Sequence, residues 1–121
     1  MGASVLICDD SNLARKQVLR SLPQDWDKTV QLATNGQEAV DVLRNEDVDV
    51  LFLDLTMPVL DGLGVLQTLQ DENITSNIFV ISADIQPEMQ KKVMALGAKA
   101  FLSKPVKPET LSENLVKFGL I

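Results

Sequence analysis

The chain contains no histidine, and that absence removes several chemistries at once. Ser-His-Asp and Cys-His catalysis both need an imidazole base, and histidine-ligated zinc needs an imidazole ligand. Any phosphohistidine chemistry must therefore take its histidine from a partner. A single cysteine, Cys8, excludes an internal disulfide and fits a reducing compartment. Cys8 stands in an apolar run, where a core thiol is expected rather than a nucleophile. Long hydrophobic runs are also missing. The apolar stretches are about five to seven residues, far short of a membrane span. Met1-Gly2 does not complete a myristoylation pattern, because position 6 is Leu6 rather than Ser or Thr. There is no recognisable repeat, low-complexity stretch or internal linker.

What is present fits one folded unit. A chain of 121 residues matches a single domain, 1–121, able to bury a core without staples. Hydrophobic residues make up 45% and charged residues 23%, as in ordinary globular proteins. The net charge of −6 and a pI near 4.5 oppose direct binding to nucleic acid or to an anionic membrane. A cytoplasmic location is expected, where the Asn73-Ile74-Thr75 sequon carries no meaning.

Short apolar runs alternate with helical periodicity along the whole chain. Ser4–Cys8 is expected as a buried parallel strand. Ser11 or Asp10 can cap a helix over about Asn12–Leu22, with Leu13, Val18 and Leu22 inward and Arg15, Lys16 and Arg20 outward. A second strand, Lys28–Ala33, leads through a turn at Thr34-Asn35-Gly36 into a helix, Gln37–Asn45, striped with Ala39, Val40 and Leu43. Asp49–Asp54 is almost wholly apolar, hence a central strand. Thr56-Met57-Pro58 breaks the pattern, and Asp61-Gly62 opens a helix to about Asp71. Asn77–Ser82 is the fourth strand. Pro87 starts a helix that ends near Leu96-Gly97, with Gly97 suited to a left-handed C′ position. Lys99–Ser103 is the fifth strand, and Pro108 starts the last helix. Five βα units predict an α/β fold: a doubly wound, flavodoxin-like (βα)5 parallel sheet in strand order 2-1-3-4-5. In that order the topological switch lies between strands 1 and 3.

The C-terminal ends of those two strands carry Asp9, Asp10 and Asp54. Two like charges about 4 Å apart repel by roughly 4 kcal/mol at an effective dielectric near 20, so three converging carboxylates call for protons or a cation. An all-oxygen donor set favours a hard ion. Mg²⁺ habitually takes one or two carboxylates plus phosphate oxygens, and Mn²⁺ could substitute. Asp9 and Asp10 would hold the metal, with Asp54 bridging metal and phosphoryl group. Ser82 ends the fourth strand and Lys104 follows the fifth at the same sheet edge. A lysine beside carboxylates is an ion-pair partner and a ready phosphate ligand. Three aspartates, one lysine and one divalent ion sum to about neutral.

With Asp9-Asp10, Asp54, Ser82 and Lys104-Pro105 each at the appropriate strand end, the chain from Val5 to about Phe118 resembles the CheY-like response-regulator receiver domains of two-component signalling. The resemblance implies that Asp54 is the phosphoacceptor. It implies that Asp10 binds Mg²⁺ directly, Asp9 through water, and the Thr56 backbone carbonyl as a further ligand. Lys104, the Ser82 hydroxyl and the backbone N–H groups of Thr56 and Ala83 would hold the phosphoryl group. Ser82 and Phe101 would form the switch pair, biasing the surface of the fourth helix, fifth strand and fifth helix. Thr56 and Asp84 occupy positions that tune phosphoryl lifetime in the family. One departure is that the switch aromatic is Phe101, which has no hydroxyl to offer a partner. The implied donor is a histidine kinase or a histidine phosphotransfer protein, and the implied recipient is an output domain or target protein. Arg15 and its neighbours could dock the donor. A charged set for receiver dimerisation is not matched, so a monomer is expected.

Competing classes fit less well. A haloacid-dehalogenase-type phosphatase needs a second aspartate two residues after the first, and that position is Thr56. A flavin carrier on this fold needs a phosphate cradle where Asp9-Asp10 would repel phosphate. No P-loop motif is present. An inert receiver-like interaction module is the remaining rival.

Overall fold

The computed structural model describes residues 2–121. Ten elements alternate along the chain: β1 (Ala3–Cys8), α1 (Asn12–Ser21), β2 (Lys28–Ala33), α2 (Gly36–Asn45), β3 (Val50–Leu53), α3 (Gly62–Asp71), β4 (Asn77–Ser82), α4 (Pro87–Ala95), β5 (Ala100–Ser103) and α5 (Pro108–Lys117). The strands form one parallel sheet in the order β2-β1-β3-β4-β5. This is the doubly wound topology expected from the alternation of periodicities.

The period-two geometry of strands divides the core into two layers. Val5 and Ile7 of β1, Val50 and Phe52 of β3, and Phe79 and Ile81 of β4 face α1 and α5, where Val18, Leu111 and Leu115 cover them. Their neighbours Leu6, Cys8, Leu51, Leu53, Ile78 and Val80 face the other way, onto Val40 and Leu43 of α2, Leu66 and Leu69 of α3, and Val93 of α4. Phe52 and Phe79 stack with ring centroids 5.7 Å apart. Because both faces are covered, the middle of each central strand is apolar on both sides, as in Val5–Cys8, Val50–Leu53 and Ile78–Ile81.

Local chemistry sets most element ends. Ser11 caps α1 by accepting from the Ala14 N–H, Asn35 caps α2 from Glu38, and Asp61 caps α3 from Gly64. Pro87 and Pro108 stand in the first turns of α4 and α5, which lack a side-chain cap. Gly97 adopts a φ of 103°, the left-handed exit expected of it.

Some expectations need correcting. Leu13 does not point inward; it is 75% exposed. The inward line of α1 runs through Ala14, Val18, Ser21 and Leu22, at helical spacing, and Leu13 lies off that line. Arg15 does not project into solvent but folds back, half-buried. The strands β3 and β5 are shorter than their apolar runs suggest, so Asp49, Asp54 and Lys99 flank the sheet rather than extend it.

Candidate functional site

The parallel register aligns the strand ends that matter. Cys8 pairs with Leu53, so the residues that follow, Asp9 and Asp54, leave the sheet side by side. The Asp54 N–H donates to the Cys8 carbonyl at 3.0 Å, and the Asp9 N–H donates to Ala33 at 3.1 Å. Asp9, Asp10 and Asp54 each bring one carboxylate oxygen to within 4.8 Å of the others. Asp9 and Asp54 are buried, while Asp10 is exposed at the mouth.

Lys104 enters from the turn after β5. Its Nζ lies 2.8 Å from Asp9 Oδ2 and 3.3 Å from Asp54 Oδ1. The Lys104-Pro105 peptide is cis, and the Lys104 N–H donates to the Ser82 carbonyl at 2.9 Å. One ammonium against three carboxylates leaves two uncompensated negative charges. Burial pushes the Asp54 carboxyl above its usual range, the charge of Asp9 adds to that, and Lys104 only partly opposes it. Burial works against the charge on Lys104, but its hydrogen bond to Asp9 and the charges of Asp54 and Asp9 outweigh this and raise its pKa.

The donor set fits a hard divalent cation. It is all oxygen, it carries the two negative charges such an ion would neutralise, and Asp10 is exposed to solvent at its mouth. Below it, Cys8 is not a reactive thiol. Its Sγ donates to the Asn35 carbonyl and touches Met57 Sδ, both at 3.3 Å. Burial and the nearby charges of Asp9 and Asp54 push its pKa up to about 12.

The other expected residues gather at the same sheet edge. Ser82 is buried, and its Oγ accepts from the Asp84 N–H at 3.0 Å. Among the described residues, the Thr56 and Ala83 N–H groups meet no protein acceptor. Phe101 pairs in register with Val80, so it shares the face of the sheet that Ser82 occupies, and it is half-buried against the α2–α4 side of the core.

Two residues near the site escaped the sequence reading in their structural roles. Gly62 packs against the backbone that carries Asp54: a Cβ there would lie 2.5 Å from the Asp54 carbonyl oxygen and 2.7 Å from Leu55 Cα. Its place at the start of a helix concealed this, since capping chemistry alone accounts for Asp61-Gly62. Arg15 donates to the Asp9 carbonyl at 2.6 Å. No local pattern distinguishes it from Lys16 or Arg20.

Comparisons with known proteins agree with this geometry. The family of response regulator receiver domains matches residues 5–116. The chain is 32% identical to the chemotaxis protein CheY of Thermotoga maritima, over 97% of this chain and 98% of that protein. It is 31% identical to the nitrate/nitrite response regulator protein NarL of Escherichia coli, over 93% of this chain but only 53% of NarL. Among solved structures, CheY in the CheX–CheY–BeF3–Mg²⁺ complex of Borrelia burgdorferi superposes with a TM-score of 0.88 at 27% identity, covering 98% of this chain and 90% of that one. The chemotaxis protein CheY4 of Vibrio cholerae gives 0.85 at 30% identity, covering 97% and 98%. With its strand order, its acidic strand ends and this similarity in agreement, the chain belongs to the family of response-regulator receiver domains, the phosphoacceptor switches of two-component signalling.

Proposed function

We propose that residues 1–121 act as one receiver domain in which Asp54 accepts a phosphoryl group from a partner's phosphohistidine. The observation that carries this reading is the meeting of three carboxylates and one lysine at the switch point of the sheet. The donor is a histidine kinase or a histidine phosphotransfer protein. An Asp54 carboxylate oxygen attacks phosphorus, the P–O bond forms as the P–N bond breaks, and the imidazole leaves with the bonding pair. Such transfer asks for in-line positioning and charge neutralisation more than for nucleophilicity.

Asp10, Asp54 and the Thr56 carbonyl would hold Mg²⁺, or Mn²⁺ in its place, with Asp9 contributing through water. When bound, the ion supplies charge neutralisation at the reacting oxygens. Lys104 already spans Asp9 and Asp54 and needs only a small displacement to reach a phosphoryl oxygen on Asp54. The free Thr56 and Ala83 N–H groups and the Ser82 hydroxyl are the remaining donors. To reach the phosphoryl group, Ser82 gives up its contact with the Asp84 N–H. The space it vacates lies on the face shared with Phe101. Phe101 turning inward then alters the surface of α4, β5 and α5, which an output domain or target protein reads. The domain works in the cytoplasm, is a monomer when unphosphorylated, and makes no direct contact with nucleic acid or membrane.

Incubation with acetyl phosphate and Mg²⁺ tests this. A hydroxylamine-sensitive phosphoryl adduct should form on the wild-type chain and be absent from Asp54→Asn. No adduct at all would leave an interaction module on a receiver fold, and an adduct that survives Asp54→Asn would place the acceptor elsewhere. Replacing Thr56 or Asp84 should change the decay of the adduct but not its formation, read by following its loss after removal of the donor. Unchanged decay in both variants would remove their tuning role.

A further inference from the structure

The three acidic residues are not held alike, and the difference points to an unassigned role for a fourth side chain. Asp9 is fixed through its own carboxylate: Oδ1 accepts from the Ser11 N–H at 2.9 Å and Oδ2 from Lys104 at 2.8 Å. Asp54 is fixed by Lys104 and by burial. Asp10 is exposed, and among the described residues its carboxylate accepts no hydrogen bond. Only its backbone aims it.

That backbone is gripped by Arg15. Nη1 donates to the Asp9 carbonyl at 2.6 Å, while Nη2 reaches Asn12 Oδ1 at 3.3 Å. The Asp9 carbonyl belongs to the peptide group that joins Asp9 to Asp10. A peptide group is planar, so holding its oxygen places the Asp10 N and Cα, from which the side chain leaves the turn. A charged donor on a carbonyl is stronger and shorter than a neutral one.

We propose that Arg15 is a positioning residue for the divalent-cation site, orienting Asp10 by clamping the Asp9–Asp10 peptide. This rests on the reading of the acidic cluster as a cation site. It differs in sign from the obvious alternative. A bystander cation beside the site repels a divalent ion, so its removal would tighten binding. Loss of a positioning residue loosens it.

The test is Mn²⁺ binding to the unphosphorylated chain, read from the free-ion electron paramagnetic resonance signal, for wild type, Arg15→Ala, Arg15→Lys, Asp10→Asn and the Arg15→Ala/Asp10→Asn double variant. Thermal unfolding in EDTA checks that each variant folds. Arg15→Ala should bind about tenfold more weakly, the usual cost of losing a residue that orients a ligand. Arg15→Lys, which keeps the charge and one donor, should fall between it and wild type. The double variant should bind no more weakly than Asp10→Asn alone. Equal or tighter binding by Arg15→Ala overturns the proposal, as does the same loss in the Asp10→Asn background. If wild type and Asp10→Asn bind Mn²⁺ equally, the cation site itself is wrong, a failure distinct from that of the clamp.

Discussion

Asp54 carries its charge where the fold tolerates it poorly. It is buried, it faces Asp9, and Lys104 compensates only part of the cost, so its pKa is raised. A raised carboxyl contributes stability that is fully present below its unfolded pKa and is lost as pH rises through the folded one. At pH 7 the ionised side chain therefore weighs against the fold. In EDTA, Asp54→Asn should be more stable than wild type at pH 7 by on the order of 1 kcal/mol, and the gap should shrink as acid protonates Asp54. Urea unfolding at a series of pH values measures this; a variant less stable at pH 7 would contradict it. Lys104 does not confuse the result. Its pKa is also raised, so Lys104 itself stays protonated throughout the acid range and its own titration is felt only above the ordinary lysine pKa.

At the scale of elements, the connection from β3 to α3 holds the most conformational tension. Val59 has a φ of 68° and is 79% exposed. It is the central residue of a γ-turn closed by the Leu60 N–H on the Pro58 carbonyl at 2.7 Å. A β-branched residue in that region is strained by about 1–3 kcal/mol. A few residues on, Gly62 lets the start of α3 lie directly against the Asp54–Leu55 backbone, with its N–H on the Leu55 carbonyl at 3.0 Å. Opposite outcomes are expected from two single substitutions. Val59→Gly should stabilise the fold by about 1 kcal/mol, since strain relief exceeds the added chain entropy. Gly62→Ala should destabilise it by about 1–3 kcal/mol and slow phosphorylation of Asp54, because the new methyl must displace backbone. Chemical denaturation and acetyl phosphate labelling of the two variants decide both. The strain at Val59 was not legible beforehand, because Val59 reads as an ordinary loop residue and its dihedral follows from how the loop closes.

For the whole molecule, a cation held at the acidic edge would link its binding to stability. A ligand that binds only the folded chain stabilises it by about 2.7 kcal/mol at a hundredfold excess over its Kd, a rise in Tm on the order of 10 °C for a domain of this size. Mg²⁺ should therefore raise Tm in a concentration-dependent way, and Asp10→Asn should lose most of the effect. Calorimetry against a sodium control at matched ionic strength tests it; a flat Tm would count against the cation site.

Much of this architecture could be read from the chain alone. Short β-rich apolar runs alternating with helical stripes determine a parallel sheet, and strand order then places Asp9, Asp10 and Asp54 at one edge with Ser82 and Lys104. These are consequences of local periodicity and of topology, both of which leave marks in sequence. The side-chain partners do not. That Lys104 spans both buried aspartates, that Arg15 turns back to the Asp9 carbonyl while Leu13 turns out, and that Gly62 touches the Asp54 backbone each depend on distances between residues remote in sequence or on the direction of one helix face. Sequence periodicity specifies which residue types fall on a face; only packing in three dimensions decides which atoms on that face meet.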